Sequence, residues 1–441
     1  MRVLWLCNRC LPVVAAHLNI DAGNKEGWLA GLSERLLAEK NEELTLGVCF
    51  PAGKELAEWK GEYEVTAYGF YEDTARPENY DENLEVRMKE IVNDFNPDLV
   101  HIFGTEFPHT LAMVRAFNNP GRTLIGIQGL CFVYADAYLE GLPDEVIKRS
   151  TLRDMLKKDS ILDQQKKFYR RGAYEQKALA VTGNVTGRTD WDKHYTKECN
   201  AGVKYYFMNE TLRSNFYEGV WDYKNCEKHS IFVSQGDYPI KGLHFLLRAM
   251  KDILEEYPDT KVYVAGNCVT GNDGFKKKVK MASYGKYLKE LIEDNNLADH
   301  IVFLGNLNAE QMKKRYLESN VFVSPSVMEN SPNSVGEAMI LGVPVISTKV
   351  GGVHNLLEDR KEGILYEPKN VQALSNAVIK VFDAYEYEDA SRMRPIRVKE
   401  EEIEEIRAYP VNAREHALKT HNPDTNYYRL LEIYEDICAC E

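Results

Sequence analysis

Short, near-continuous apolar runs that alternate with helix-length amphipathic stretches constrain this chain more than any other feature. A strand covered by helices on both faces has no polar face to show, so it reads as an unbroken apolar run. The first half supplies such runs at 3–6, 44–50, 99–103 and 123–127. Between the first two, Leu29, Leu32, Leu36 and Leu37 recur at helical spacing over 28–38. A charged, helix-patterned stretch at 144–167 leads to short strand candidates at 180–182 and 203–207. The second series is more regular. Its runs fall at 230–234, 261–266, 301–304, 321–324 and 343–347, with helices between them and another over 371–384 that Asn370 is placed to cap. The acidic stretch 400–405 reads as an exposed helix or linker, and a last helix starts near 425.

Alternation of this kind builds α/β domains around doubly wound parallel sheets. At roughly 100–200 residues per domain, 441 residues suit two of them. The expected division is 1–208 and 209–421, with a hinge near 208–229 and a helix of about 422–441 packing back on the first domain. Ligands in such domains sit beyond the carboxyl ends of the strands, here expected in a cleft between the two.

The formal net charge of -13 argues against a nucleic-acid partner, which requires a broad basic surface. The cluster Lys276-Lys277-Lys278 reads as a solvated helix face. No apolar run reaches the ~18–20 residues that span a bilayer, and residues 1–7 read as a first strand rather than a signal-peptide core. The nine Cys are scattered without a CxxC pair, which suits a reducing compartment, and Cys438 and Cys440 form an incidental CxC. A cytoplasmic protein is expected, with contact at the inner face of a membrane left open. The ten His show no metal-ligand spacing, so no metal is assigned.

Three segments carry the chemistry. In the first, Ser324-Pro325-Ser326 closes a buried strand, a turn-forming stretch follows, and a helix starts near Asn333 or Ser334. A helix start offers free N–H groups and a positive dipole end, which together suit a diphosphate. Glu337, in the first turns, can accept bonds from vicinal hydroxyls such as those of a ribose, and Glu329 precedes the turn. The alternative is a helix-start carboxylate and a surface loop residue. In the second segment, Lys241 follows a strand and a loop and precedes a helix, where a cation opposes the dipole and gains from a phosphate instead. The third, Gly351-Gly352, lies beyond the run 343–347, where bare glycines allow close backbone approach or a plain turn. His101, Glu106 and His109, around the end of the run 99–103, are candidates to face an acceptor, with core packing or simple exposure as the alternative.

The order Lys241-Gly242, Val264-Ala265-Gly266, Phe303-Leu304-Gly305, Ser324-Pro325-Ser326, Glu329 with Glu337, Gly342-Val343-Pro344-Val345, Gly351-Gly352 and Glu362-Gly363-Ile364-Leu365 resembles glycosyltransferase family 4. The likeness is collinear over about 230–370. It implies the GT-B fold: two Rossmann-like domains facing a central cleft, with a C-terminal crossover helix. It also implies retaining hexosyl transfer, without a metal or other cofactor, from a UDP- or GDP-linked sugar to a glycan, lipid-linked or small hydroxyl acceptor. Lys241 would bind the donor diphosphate, Glu337 the ribose, Glu329 the donor sugar, and the backbone at Asn333 and Ser334 a phosphate. Gly27 sits roughly where the family has a glycine-rich loop.

Two positions depart from the pattern. Gly236 stands where the family commonly has an Arg, and Gln128 where it tends to have a His; Gln128 can bond a sugar hydroxyl but cannot act as an acid or base. Arg188 is a candidate for the missing cation, with pairing to Asp190 or Asp192 as the alternative. Asp190-Trp191-Asp192 is formally a DxD metal pattern and is read as coincidence. The competing functional class is a catalytically weak nucleotide-sugar-binding protein on the same scaffold. An epimerase or phosphorylase of the same architecture is a third, and no pyridoxal-binding Lys motif for the latter is found.

Overall fold

The computed structural model describes residues 1–20, 27–39, 41–271, 281–387 and 398–439. The loop residues 24–26, the cluster Lys276-Lys277-Lys278 and Cys440 lie outside the described residues. The chain divides into two compact units. Met1–Asp136, Lys166–Arg213 and His421–Glu441 form the first; Ala137–Gln165 and Ser214–Thr420 form the second.

The first unit is built on an eight-stranded sheet. Its strands are β1 (Arg2–Leu6), β2 (Thr45–Ala52), β3 (Lys60–Glu62), β4 (Thr66–Tyr71), β5 (Leu99–Phe103), β6 (Thr123–Gly126), β7 (Asn184–Gly187) and β8 (Lys204–Phe207). They lie in the order β3-β4-β2-β1-β5-β6-β7-β8, all parallel except β3, which runs antiparallel to β4. The central strands are buried along almost their whole length, as their apolar runs require. The sequence reading missed the short β3, the strand β4 and the helix Pro12–Leu18. It also placed a strand at 180–182, where the helix Ile161–Val181 is still running; the strand is β7, just beyond. A short apolar run at a helix end cannot be told from a strand by pattern alone.

The C-terminal helix Pro423–Ala439 completes the first unit's core with Tyr427, Leu430, Ile433, Tyr434 and Ile437. Tyr434 also ties it to the sheet by polar contacts. The Trp5 indole N–H donates to the Tyr434 oxygen at 2.8 Å, and that oxygen lies 2.7 Å from His101 Nδ1. An indole can only donate, so the Tyr434 oxygen is the acceptor of the Trp5 bond, and which way the bond to Nδ1 runs depends on the tautomer of the neutral imidazole. Burial holds His101 in that neutral form by pushing its pKa down to about 3.

The second unit holds a six-stranded, wholly parallel sheet. Its strands are β9 (Glu227–Val233), β10 (Lys261–Ala265), β11 (Ile301–Gly305), β12 (Ser319–Ser324), β13 (Val345–Thr348) and β14 (Ile364–Tyr366), in the order β11-β10-β9-β12-β13-β14. Asn370 caps the helix Val371–Glu386 by accepting the Ala373 N–H at 2.9 Å. Residues 400–405 open the helix Glu400–Thr420 rather than a linker.

Residues 137–165 count with this second unit, against the expected first-domain assignment. The reason is local and polar. Asp154, fully buried, accepts the Thr151 and Ser283 N–H groups at 3.0 and 2.9 Å, and Thr151 Oγ1 donates to the Met281 carbonyl at 2.9 Å. Arg149 also pairs with Glu290 at 2.6 Å. A charged stretch read only for helical pattern gives no sign of such partners.

Tyr434→Phe would strand the Trp5 donor and leave His101 Nδ1 without its partner while keeping the ring. A loss of about 1–3 kcal/mol in urea unfolding is expected, with the C-terminal helix among the first segments to gain hydrogen exchange.

Candidate functional site

The carboxyl ends of the second unit's strands gather its polar residues. From β12 the chain leaves through Pro325 and Ser326 and, after a turn, enters the helix Asn333–Leu341. Ser326, Glu329, Asn330 and Glu337 are all buried there. The Thr348 hydroxyl donates to the Ser326 carbonyl at 2.5 Å, and Ser347 Oγ donates to the Ser324 carbonyl at 3.3 Å. The end of β13 thereby holds the corner in place.

Two glycines let other segments touch it. Gly351 has φ +50°, and a Cβ there would lie 1.8 Å from the Glu329 carbonyl oxygen, which accepts the Gly352 N–H at 3.1 Å. Gly242 has φ +67°, and a Cβ there would come within 1.9 Å of the Pro325 carbonyl. Beside Gly242, Val327 N–H donates to the Ile240 carbonyl at 2.8 Å. Both glycines serve the close approach and the left-handed backbone that other residues resist.

That approach delivers Lys241 to Glu329. Nζ lies 2.6 Å from Oε1, which also accepts the Ser326 hydroxyl at 2.8 Å. The Lys241 side chain is 19% exposed and that of Glu329 10%. Burial alone would lower the ammonium's pKa; the Glu329 carboxylate, with the Tyr238 phenol and Asp237, outweighs it and holds the pKa above its ordinary value. The charge survives because it is paired.

The helix start beyond the turn has Pro332 in the cap position and no side-chain cap. Asn333 and Ser334 are its first two residues, so their N–H groups face outward from the helix end. Glu337, one turn on, is fixed by the Tyr316 hydroxyl, which lies 3.2 Å from Oε2 and 3.0 Å from the Ser334 carbonyl. Across the ends of β9, β10 and β11 runs a chain that sequence reasoning missed. Asn306 Nδ2 donates to Asn267 Oδ1 at 3.3 Å, and Asn267 Nδ2 donates to Asp237 Oδ2 at 3.0 Å. Asp237 Oδ1 is buried without a hydrogen-bond partner among the described residues. The only signal for these three was their common place after a strand. Ser326 and Tyr316 were also missed, and nothing in their spacing marks them.

Gly236 has no room to spare, since a Cβ there would meet Leu243 Cδ2 at 2.6 Å and Val264 Cγ1 at 3.1 Å. An Arg at this position needs Leu243 to move, so the departure from the family pattern is built into the packing.

The first unit holds the other candidates. Gln128 lies half-buried just past the end of β6. Gly27 is the first residue of the helix Gly27–Ala38, and the Arg213 stem lies against its bare face, where a Cβ would be 2.5 Å away. Arg188 is already engaged: Nη1 lies 3.0 Å from both Glu210 Oε1 and the Ile127 carbonyl, and the side chain is 8% exposed. Among the described residues its guanidinium pairs with neither Asp190 nor Asp192, so the cation proposed for a diphosphate has Glu210 as its partner here. Asp192 belongs to a capping box with Thr189 at the start of the helix Asp190–Cys199.

His101 and His109 also require correction. His101 is buried under Tyr434 and is among the residues lining a cavity of only about 20 Å³. His109 is fully buried between Glu72 Oε2 at 2.7 Å and Asn8 Oδ1 at 2.9 Å. Neither offers a face to an acceptor. Polar residues near a strand's end often face ligands, but here Tyr434 closes over His101, and Glu72 and Asn8 over His109. Glu106 is half-buried; burial raises its pKa, and its Oε2 has no partner among the described residues.

With the geometry in hand, likeness to known proteins can be placed on it. Two Rossmann-like sheets with C-terminal helices make the GT-B fold. A sucrose-phosphate synthase from Thermosynechococcus elongatus has the same fold, with TM-score 0.69 at 16% identity over the whole of both chains. An Anabaena protein, HepE, solved in complex with UDP-glucose, has TM-score 0.62 at 14% identity, over 99% of this chain and 100% of that one. Residues 221–396 match the family described as glycosyl transferases group 1. A Methanocaldococcus jannaschii protein described as an uncharacterized glycosyltransferase is 31% identical over 163 residues, which are 37% of this chain and 38% of that protein. The chain thus spans less than half the length of that relative. No described helix is long and apolar enough to cross a membrane.

Two outcomes test this description. Gly351→Ala must push the Glu329 backbone away and adopt a strained φ, so a loss of about 1–3 kcal/mol from the backbone alone is expected in urea titration. In the first unit, Glu175 is 1% exposed, accepts hydrogen bonds from the Thr105 hydroxyl and the Phe132 N–H, and has its pKa pushed up to about 8 by burial. A carboxyl raised from 4.5 binds an extra proton when folded, so its contribution is intact below about pH 4.5 and is lost as pH rises through 8. Glu175→Gln should therefore gain on the native protein between pH 5 and 8, by at most about 4–5 kcal/mol, read from melting temperatures across that range.

Proposed function

We propose that this chain is a retaining, metal-independent glycosyltransferase that moves a hexosyl group from a UDP- or GDP-linked sugar to an acceptor hydroxyl in glycan or polysaccharide synthesis. One observation carries the reading: a half-buried ammonium, Lys241, paired with a buried carboxylate, Glu329, stands beside an uncapped helix start within the segment that matches the glycosyl transferases group 1 family. Breaking the anomeric C–O bond places positive charge on the sugar and negative charge on the departing diphosphate. Lys241, drawn from Glu329 toward the phosphate as the donor binds, and the Asn333 and Ser334 N–H groups at the helix start stabilise the second of these. Glu329 takes hydroxyls of the donor sugar and Glu337 those of the ribose. The departing phosphate oxygen takes the acceptor's proton on the face it leaves, which keeps the anomeric configuration. Gly236 leaves the phosphates one cation short of the family pattern, so more of the work falls on Lys241. The acceptor side is assigned to the first unit, with Gln128 as a hydrogen-bonding group. The protein is proposed to act in the cytoplasm, with attachment to the inner membrane face as an open extension.

A second reading, a nucleotide-sugar-binding protein with weak turnover, draws on the same Gly236 and on the engagement of Lys241 by Glu329. Release of UDP or GDP from a labelled sugar nucleotide, with and without added glycan, separates the two. Acceptor-dependent release that survives EDTA is expected, and Lys241→Ala should lower kcat/KM by about 10²–10³. Tight donor binding without release would favour the second reading. Unchanged turnover in Lys241→Ala would remove the site assignment.

A further inference from the structure

We infer that Glu329 makes the site discriminate the intact sugar nucleotide from the nucleoside diphosphate that remains after transfer. The inference rests on the donor site proposed above. Lys241 is not a free cation waiting for phosphate: its ammonium lies 2.6 Å from Glu329 Oε1, and the two side chains are 19% and 10% exposed. Exposed pairs exchange partners at little cost, but a largely buried carboxylate that loses its cation is left with a charge that water solvates poorly.

A phosphate that engages Lys241 therefore competes with Glu329, and the outcome depends on what else the ligand brings. An intact sugar nucleotide delivers hydroxyl donors to the carboxylate as the ammonium turns toward phosphate, so Glu329 exchanges one set of partners for another. A bare diphosphate brings only acceptor oxygens. Glu329 then keeps the single hydroxyl of Ser326, 2.8 Å away, and faces added negative charge.

Two neighbours sharpen the contrast. Asp237 adds a second carboxylate that acts on Lys241, with Oδ1 buried and unpartnered among the described residues. Gly236, packed against Leu243, contributes no charge. Lys241 is thus hydrogen-bonded to one carboxylate and lies in the field of a second before any phosphate arrives, and position 236 supplies no further cation. The product is held loosely because the carboxylate that welcomes the sugar takes the lysine back.

Titration calorimetry of the full chain with UDP, UDP-glucose, GDP and GDP-mannose tests this on the native protein, Glu329→Gln and Lys241→Met. Gln keeps an oxygen for Ser326 and removes the charge. Glu329→Gln should bind the matching diphosphate about tenfold tighter and its sugar nucleotide about tenfold weaker. Effects of opposite sign are what mere structural damage cannot produce. Glu329→Asp, which draws the carboxylate back by one methylene, should shift the same ratio in the same direction by less and stands in if the Gln variant does not fold. Weakening of both ligands together, or an unchanged diphosphate affinity, overturns the inference while leaving the donor site standing. If Lys241→Met binds both ligands as the native protein does, or none of the four nucleotides binds, the donor site itself is wrong and the inference falls with it.

Discussion

A carboxylate almost shut off from water must be given partners, and much of the second unit's functional edge can be understood as the means of giving them to Glu329. Its side chain takes Lys241 and Ser326, and its carbonyl takes the Gly352 N–H. Each partner arrives from a different place after a different strand. Lys241 follows β9, Ser326 follows β12, and Gly352 follows β13. Parallel strands bring all their carboxyl ends to one edge, which is why loops so far apart in sequence can converge on one group. Gly242 and Gly351 are the conditions of that convergence, since a single added methyl at either would overlap a carbonyl oxygen.

The first unit solves a different problem with similar chemistry. Its central strands carry buried polar groups, among them His101, and the Tyr434 hydroxyl satisfies two of them from a helix at the far end of the chain. Arg188 and Glu210, both nearly buried, pair within the unit as well. In both units, burial of a polar residue is answered by the protein's own groups, Lys241 and Ser326 for Glu329 in the second and Tyr434 for His101 in the first.

Apolar runs located most strands, because two-sided burial writes itself directly into composition. The three-residue edge strand β3 carries no such run, and in β4 the buried stretch is written in aromatics and a glycine rather than in aliphatic residues. At the candidate site, Glu329, Glu337 and Lys241 were legible from their places around strand ends and from a collinear resemblance. Ser326, Asp237, Asn267 and Tyr316 were not, since a lone polar residue in a loop shows neither period nor spacing. His101, His109 and Arg188 looked available because nothing in the sequence reveals that Tyr434, Glu72 and Glu210 stand across from them. Partners distant in the chain are the information a linear pattern lacks.

The return of residues 421–439 to the first unit has a consequence for how the protein is made. Synthesis runs from the amino end, so the sheet around Trp5 and His101 leaves the ribosome some 330 residues before the tyrosine that bonds to both. Until then an apolar face prepared for Tyr427, Leu430, Ile433 and Tyr434 stays open to water and to other chains. The second unit, nearly continuous in sequence from Ser214 onward, can complete its own core first. The half of the molecule translated first is therefore the last to close, and during that interval it is the half most in need of protection.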